Sequence, residues 1–444
     1  MINLPVKVNL KIIVSVILIF LVGFVLGLNL LLPLFLVSFL AYFECLKKAN
    51  DMKNYQLLPL IFLFTLIFSL ANLTIQRGLP ESYIPFCAIP MLAVLLYNDL
   101  RIAMFLALIS SAAIASLAGN NFNLFLIFSS SGIISAILIY GCRKRSSIIK
   151  AGFFIGLLQA LALFFADNLK FADPAHYFNM AVNGLVSAVI VIGTLPVFEY
   201  LFGVVTNVSL LELADFNHPL LQRMTMEAPG TYHHSLIVGN LSDAACQAVG
   251  ANGLLARIGA YYHDIGKLSK PEYFSENQNS SSKHDDLAPS MSKIVIMNHV
   301  KEGVDLAKKY RLNPRIIDFI QEHHGDSLVF YFYRRALENA EEQSVQEEGF
   351  RYPGPKPKSK EAAIVLLADS VEAATRTLKD HSPSFVEEMV HKVINNKFID
   401  GQLDECDLTL KNLEKIAAVF IRILSGIYHN RITYPEPTSP AKHS

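Results

Sequence analysis

Leu254-Leu-Ala-Arg-Ile-Gly-Ala-Tyr-Tyr-His-Asp-Ile-Gly-Lys-Leu268 is the stretch on which the reading of this chain turns. Its apolar residues recur at helical spacing and predict a helix over Leu254–Asp264. Gly250 and Asn252 mark the start, Gly266 ends the helix, and Lys267 suits its negative end. A His-Asp pair, His263-Asp264, therefore rides at the end of a helix. The same period continues on both sides through most of Leu210–Arg431, with no convincing strand run. Helices are expected at Tyr232–Val249, Ser290–Tyr310, from Asn313-Pro314 to His324, Asp326–Glu342, Ser359–Leu378 and Leu410–His429. Ser384 and Glu387 read as a capping box for one more helix. Prolines at 353, 355 and 357 make the segment up to Lys358 a loop, and the proline-bearing tail Tyr434–Ser444 reads as loose. The fold class is all-α.

Outward from this region the composition changes. Of the 38 basic and 38 acidic residues, positions 1–200 hold 12 and 7, and of 13 histidines only His176 lies there. An apolar content of 52% with mean hydropathy +0.37 excludes disorder and an ordinary soluble protein. A net charge of zero gives no global field for a DNA or RNA duplex, and none is expected as partner. The chain reads as a polytopic helical membrane domain, 1–204, then a histidine-rich all-α domain, 205–435, then a flexible tail, 436–444.

Apolar runs occur at Ile12–Leu28, Leu30–Phe43, Leu57–Ile75, Ile84–Tyr97, Ile102–Ala118, Phe122–Tyr140, Ile148–Ala166 and Met180–Phe202. A single helix over Ile12–Phe43 would be about 48 Å long, against a hydrocarbon layer of about 30 Å, so a turn near Gly27, Asn29 and Pro33 is preferred. Basic residues cluster in alternate loops: Lys7 and Lys11; Lys47, Lys48 and Lys53; Arg101; and Arg143 to Lys150. The intervening loops hold only Arg77 and Lys170. By the positive-inside rule this gives eight crossings with both termini in the cytoplasm; a seven-crossing version would put Lys7 and Lys11 outside. The first run exceeds a signal-peptide core and lacks an Ala-x-Ala site, so it is read as retained. Few ionisable groups interrupt the runs, which favours an anchor or sensor over a transport path. Cys45, Cys87, Cys142, Cys246 and Cys406 form no Cys-x-x-Cys pair and read as isolated thiols.

The chemistry lies in the histidines: His233-His234, His263-Asp264, His299, His323-His324, and Asp369 set in the apolar run Ile364–Val371. A carboxylate in so apolar a stretch is costly unless paired or bound to a cation. Imidazole and carboxylate donors without thiolate suit Mn²⁺ or Fe²⁺ better than a structural zinc. His218, His284, His381, His391, His429 and His443 read as surface or hydrogen-bonded core residues.

The ordered set His…His-Asp…His…His-His…Asp resembles the HD superfamily of metal-dependent phosphohydrolases. More narrowly, EAPGTYHHSLIVGNL, LLARIGAYYHDIGKL, YFSENQ, IVIMNHVKEGVDLA, EHHGDSLVFYFYRRALE and FRYPGPKPKSKEAAIVLLADSVEAATRTL resemble the seven-transmembrane receptor–HD family, the PgpH-type cyclic-di-AMP phosphodiesterases. The likeness covers Leu195–Pro435 densely. Family members usually carry a large extracellular domain after the first helix; here the Gly27–Asn29 turn stands in its place.

The resemblance implies a cyclic-di-AMP phosphodiesterase of the inner (plasma) membrane with its HD domain in the cytoplasm. It implies two divalent metal ions and a cyclic dinucleotide substrate opened to pApA; the apolar runs make the lipid bilayer a partner, and membrane tethering suits a homodimer. Its metal ligands fall on His234, His263, Asp264, His299, His323, His324 and Asp369. Asp264 would bridge, with His234, His263 and Asp369 on one ion and His299, His323 and His324 on the other. An activated hydroxide would then attack phosphorus without a protein nucleophile. His233, Lys267 and Arg376 are candidate substrate contacts, and Asp264 and Lys267 candidate catalytic residues. Two alternatives remain at this point. One is cyclic di-GMP cleavage, disfavoured because His323-His324-Gly325-Asp326-Ser327-Leu328 does not continue as HD-GYP enzymes do. The other is a catalytically idle nucleotide receptor.

Overall fold

The computed structural model describes residues 58–171, 173–278, 283–285, 287–338 and 345–428. The expected segments Ile12–Leu28 and Leu30–Phe43, the basic positions up to Lys53, Cys45, His429, His443 and the tail 436–444 lie outside the described residues. Among the described residues the elements are helices, with one isolated antiparallel bridge between Leu328 and Arg351. The chain divides into two compact units that part between Leu211 and Glu212.

In the first unit the described helices are α1 (Leu58–Gln76), α2 (Ala88–Tyr97), α3 (Leu100–Leu117), α4 (Phe122–Ile139), α5 (Arg145–Ala166) and α6 (Pro174–Phe202), followed by the short α7 (Asn207–Leu213) at the boundary. α3 to α6 are long and apolar enough to cross a membrane. The run Ile84–Tyr97 is not one such helix. Pro85 holds Ile84 in extended backbone, and only the 10 residues of α2 are α-helical, a rise of about 15 Å. Asn98 then takes a left-handed conformation, and Asp99 caps α3 by accepting from the Arg101 N–H.

Packing in this unit suits lipid as solvent. Phe153, Phe154, Leu157 and Leu161 on α5 are exposed, whereas Ser131, Gln159 and Asn183 are buried. With no hydrophobic drive between helices in hydrocarbon, close van der Waals contact must hold them. α5 and α6 meet backbone to backbone: a Cβ on Gly156 would lie 1.9 Å from Ala181 O, and one on Gly184 2.3 Å from Gly152 O.

The second unit is built from α8 (Pro219–Glu227), α9 (Pro229–Val249), α10 (Gly253–Tyr262), α11 (Pro289–Lys309), α12 (Pro314–Glu322), α13 (Phe330–Glu338), α14 (Lys360–Arg376), α15 (Pro383–Ile399) and α16 (Leu410–Ile427). Its core centres on α14, where every residue from Ala362 to Asp369 is buried. Ser359 starts that helix by accepting from the Ala362 N–H. α9 packs against α10, α14 and α16, and α10 and α12 pack against α14, while α11, which bears His299, reaches the site by packing on α12 and on the turn after α10.

Three local expectations are corrected. α9 begins at Pro229, because proline at the first helical turn forfeits no hydrogen bond. Asp326–Glu342 is not one helix: Ser327 and Leu328 pair with Arg351 and Tyr352, and α13 starts at Phe330. α15 starts at Pro383 after Ser382, two residues too early for a Ser384–Glu387 capping box. Cys87 and Cys246 are buried free thiols, and Cys142 and Cys406 are half-buried ones.

Candidate metal centre

Five helices deliver the donors. His234 lies on α9, His263 and Asp264 follow α10, His299 lies on α11, His323 and His324 follow α12, and Asp369 lies on α14. Glycines allow the approach. A Cβ on Gly266 would lie 1.8 Å from His299 O, so the turn after His263-Asp264 presses directly onto α11. A Cβ on Gly259 would meet the Phe319 ring at 2.4 Å, so α10 also packs tightly on α12.

The donors form two sets that share Asp264. One is His234, His263, Asp264 and Asp369; the other is Asp264, His299, His323 and His324; within each set the donor atoms lie within 4.8 Å of one another. Asp264 Oδ2 is 3.1 Å from His263 Nε2 and 3.8 Å from His234 Nε2, while Oδ1 is 3.4 Å from His299 Nε2 and 3.6 Å from His323 Nε2. His263 and His323 are fully buried, and His324, with 21% of its side chain exposed, is the most open of the seven.

The hydrogen bonds at the other ring nitrogen set the chemistry. His263 Nδ1 faces Ala260 O at 2.6 Å, His299 Nδ1 faces Ile296 O, and His323 Nδ1 faces Ile320 O at 3.0 Å. A carbonyl only accepts, so each Nδ1 donates, and in the neutral ring that binds a cation each Nε2 presents a lone pair inward. His299 Nε2 and His323 Nε2 then oppose each other at 3.2 Å, lone pair to lone pair. Both Asp264 oxygens and His263 Nε2 also lack a well-aligned hydrogen-bond partner; Lys267 Nζ, 2.8 Å from Oδ2, attracts the carboxylate as an ion pair off the hydrogen-bond direction. Buried acceptors arranged face to face are unfavourable unless positive charge lies between them, so the donor set fits divalent cations.

The electrostatics divide the histidines: burial works to lower His263 and His234, yet Asp264 and Asp369 raise His263 to about 10 and Asp369 and Glu372 raise His234, so without a cation these two carry the positive charge that the carboxylates demand. Burial works to raise the carboxyls of Asp264 and Asp369, yet the surrounding histidines, and Lys267 beside Asp264, outweigh it and hold both well below the usual range. Burial brings His299 down to about 4 and lowers His324 far below its ordinary value, leaving both in the neutral form that ligates.

Of the remaining candidates, Lys267 belongs to the cluster, although not as a free contact. Its Nζ is held between Asp264 Oδ2 and Glu276 Oε1 at 2.7 Å, and lies 5.0 Å from the centre of the Phe274 ring. His233 is exposed on α9 and Arg376 is exposed at the end of α14; neither joins the cluster by a hydrogen bond or ion pair. His218 caps α8, and His284 bonds Tyr273 O at 2.9 Å, both structural roles.

Sequence reasoning missed three residues. Glu372, one turn after Asp369 and 2% exposed, bonds His234 Nδ1 and so turns His234 Nε2 towards Asp369 Oδ1, 3.0 Å away. Its signal was a second carboxylate at i+3 in the same apolar run. Glu276 holds Lys267, and Tyr352 stacks on His324 at 4.3 Å between ring centres. Neither carries a local pattern of its own. Glu372→Gln should lower divalent-metal affinity by about 10–100-fold, read as the Mn²⁺ concentration giving half-maximal activity. An unchanged midpoint would reduce Glu372 to a packing residue.

Comparison with known proteins places this arrangement. Residues 22–206 match the family described as 7TM receptor with intracellular HD hydrolase, and residues 231–374 match the HD domain. The two matches fall in succession on the apolar half and on the histidine-rich half of the chain. It is 40% identical over 420 residues to cyclic-di-AMP phosphodiesterase PgpH of Bacillus subtilis (strain 168), covering 90% of this chain and 58% of that protein. It is 36% identical over 400 residues to the protein of the same name from Listeria monocytogenes serotype 1/2a (strain 10403S), covering 88% and 55%. The chain thus spans less than two thirds of the length of these curated relatives. A crystal structure of the L. monocytogenes phosphodiesterase PgpH HD domain is 44% identical, covering 48% of this chain and 100% of that one, with a TM-score of 0.46. The matched membrane model and the apolar helices make this a membrane protein, and its HD domain is of a divalent-metal-binding kind.

Proposed function

We propose that this chain hydrolyses cyclic di-AMP to linear pApA, with its HD domain on the cytoplasmic side of the plasma membrane. The observation that carries the reading is the pair of buried donor sets sharing Asp264, in a chain whose relatives bear the name cyclic-di-AMP phosphodiesterase. His234, His263, Asp264 and Asp369 would hold one cation, and Asp264, His299, His323 and His324 the other. Five imidazoles and two carboxylates without thiolate favour Mn²⁺ or Fe²⁺. Two such cations, when bound, supply Lewis acidity to phosphoryl oxygens and lower the pKa of water.

The chain's own residues position the reaction. Carbonyls of α10, α11 and the end of α12 fix the imidazole tautomers before any ligand arrives, so little reorganisation is needed. Lys267 keeps its proton, because Asp264 and Glu276 overcome the effect of burial and raise its pKa. It is therefore a fixed positive charge that steadies the shared carboxylate, and no general base. Tyr352 restrains His324, the donor nearest solvent. The membrane unit tethers this chemistry to the bilayer, where a homodimer is the expected assembly.

The test is turnover by the purified full chain in lipid nanodiscs with Mn²⁺, supplied in turn with cyclic di-AMP, cyclic di-GMP and bis(p-nitrophenyl) phosphate. Cyclic di-AMP should be cut fastest and yield pApA. Faster cleavage of the guanine ring would overturn the substrate, and binding without turnover would make the chain a receptor.

A further inference from the structure

Two lysines flank the donor cluster, and they differ in what already neutralises them. Lys267 is held between two carboxylates. Lys397, in the last turn of α15, has only a hydroxyl: its Nζ donates to Ser327 Oγ at 2.7 Å, and no carboxylate among the described residues comes within ion-pair distance. Ser327 closes the tight turn after the histidine pair, its N–H donating to His324 O at 3.1 Å. His324 Nδ1 in turn lies 3.6 Å from Asp369 Oδ2. Lys397 is thus anchored to the segment that carries the most open donor, on the Asp369 side of the cluster.

The acids around Lys397 have other partners. Asp400 accepts from Arg351 and from Gln402, each at 2.7 Å. Asp326 accepts from Gln402 Nε2 at 2.5 Å and lies 3.7 Å from Lys356. Burial pulls the Lys397 pKa down, while Asp369, Asp400 and Asp326 pull it up. An ammonium has three donors, and Ser327 takes one. The result is a partly desolvated cation beside a phosphodiester site, with two donors left and no anion in contact.

We propose that Lys397 binds the phosphodiester of the substrate that is not being cut. This rests on the cyclic-dinucleotide reading, since such a ring carries two phosphodiesters and the shared donor cluster addresses one. Lys397 feels the Asp369 charge yet is bonded to Ser327 and not to any cluster carboxylate, so it stands at the edge of the donor set, where the phosphodiester that is not held by the cations would lie. Lys267, by contrast, is too fully paired to serve as the anion contact. A lysine placed only to complement the negative end of α15 would act on stability alone.

The two roles separate by experiment, using the full chain in nanodiscs with Mn²⁺, and cyclic di-AMP against bis(p-nitrophenyl) phosphate, which has one phosphodiester. A hydrogen bond to a charged group corresponds to roughly tenfold or more in binding. Lys397→Met should raise KM for cyclic di-AMP about tenfold and lower the ratio of kcat/KM between the two substrates by a similar factor. Lys397→Arg should recover most of the loss, and Ser327→Ala should show a smaller loss of the same kind. Equal losses on both substrates, or a lowered thermal midpoint with KM unchanged, would overturn the assignment. Wild-type protein that cuts neither substrate would instead remove the phosphodiesterase reading beneath it.

Discussion

Asp264→Ala should lower turnover of cyclic di-AMP by at least about a thousandfold while leaving helical circular dichroism unchanged. The size follows from geometry: Asp264 is the one residue common to both donor sets, with one oxygen towards His263 and His234 and the other towards His299 and His323. Removing it would take a ligand from both cations together and leave imidazoles that cannot bridge two ions, because each presents a single lone pair. The fold should survive. Lys267, the cation that pairs with Asp264, retains Glu276 at 2.7 Å, so no buried charge is stranded. Asp264→Asn keeps the shape and one accepting oxygen, and should also be strongly impaired. Near-normal turnover in the alanine variant would remove the shared-carboxylate assignment.

Chelation should have the second large effect. Dialysis of the full chain against a strong chelator should bring turnover to background and lower the thermal midpoint of the HD unit, and Mn²⁺ or Fe²⁺ should restore both. A ligand present at a hundred times its dissociation constant stabilises the folded state by about 2.7 kcal/mol. The metal-free cluster also keeps its unfavourable contacts, above all the opposed Nε2 atoms of His299 and His323. Turnover that persists after the metal content has been measured as negligible would end the metal-dependent reading. A midpoint that does not move would show that the donors are organised without cations.

Some of this was visible along the chain and some was not. The i−3 carbonyl partners of His263, His299 and His323 are local to their helices, so ring orientation follows once those helices form. The carboxylate at position 369 stood out because an apolar helix does not keep an unpaired charge. By contrast, Glu372 and His234 are separated by 138 positions, and nothing near either residue announces the other. The same holds for Tyr352 on His324, for Glu276 on Lys267 and for Lys397 on Ser327. The corrected helix starts at Pro229, Phe330 and Pro383 arose where proline geometry or a distant pairing prevailed over the local apolar pattern.

By itself, the sequence determined the class of the fold and the split between an apolar and a histidine-rich half, which follow from helical periodicity and hydropathy acting over a few residues at a time. Side-chain chemistry marked the histidines and Asp369 as candidate ligands, and the family resemblance selected seven of the candidates. Only the tertiary structure decided that the seven donors form two sets around one carboxylate, that Lys267 is paired, and that Lys397 has no anionic partner among the described residues. Those facts depend on which helices meet across the folded chain: α9, α10 and α12 pack against α14, and close contact at Gly259 and Gly266 brings α10 onto α12 and its following turn onto α11.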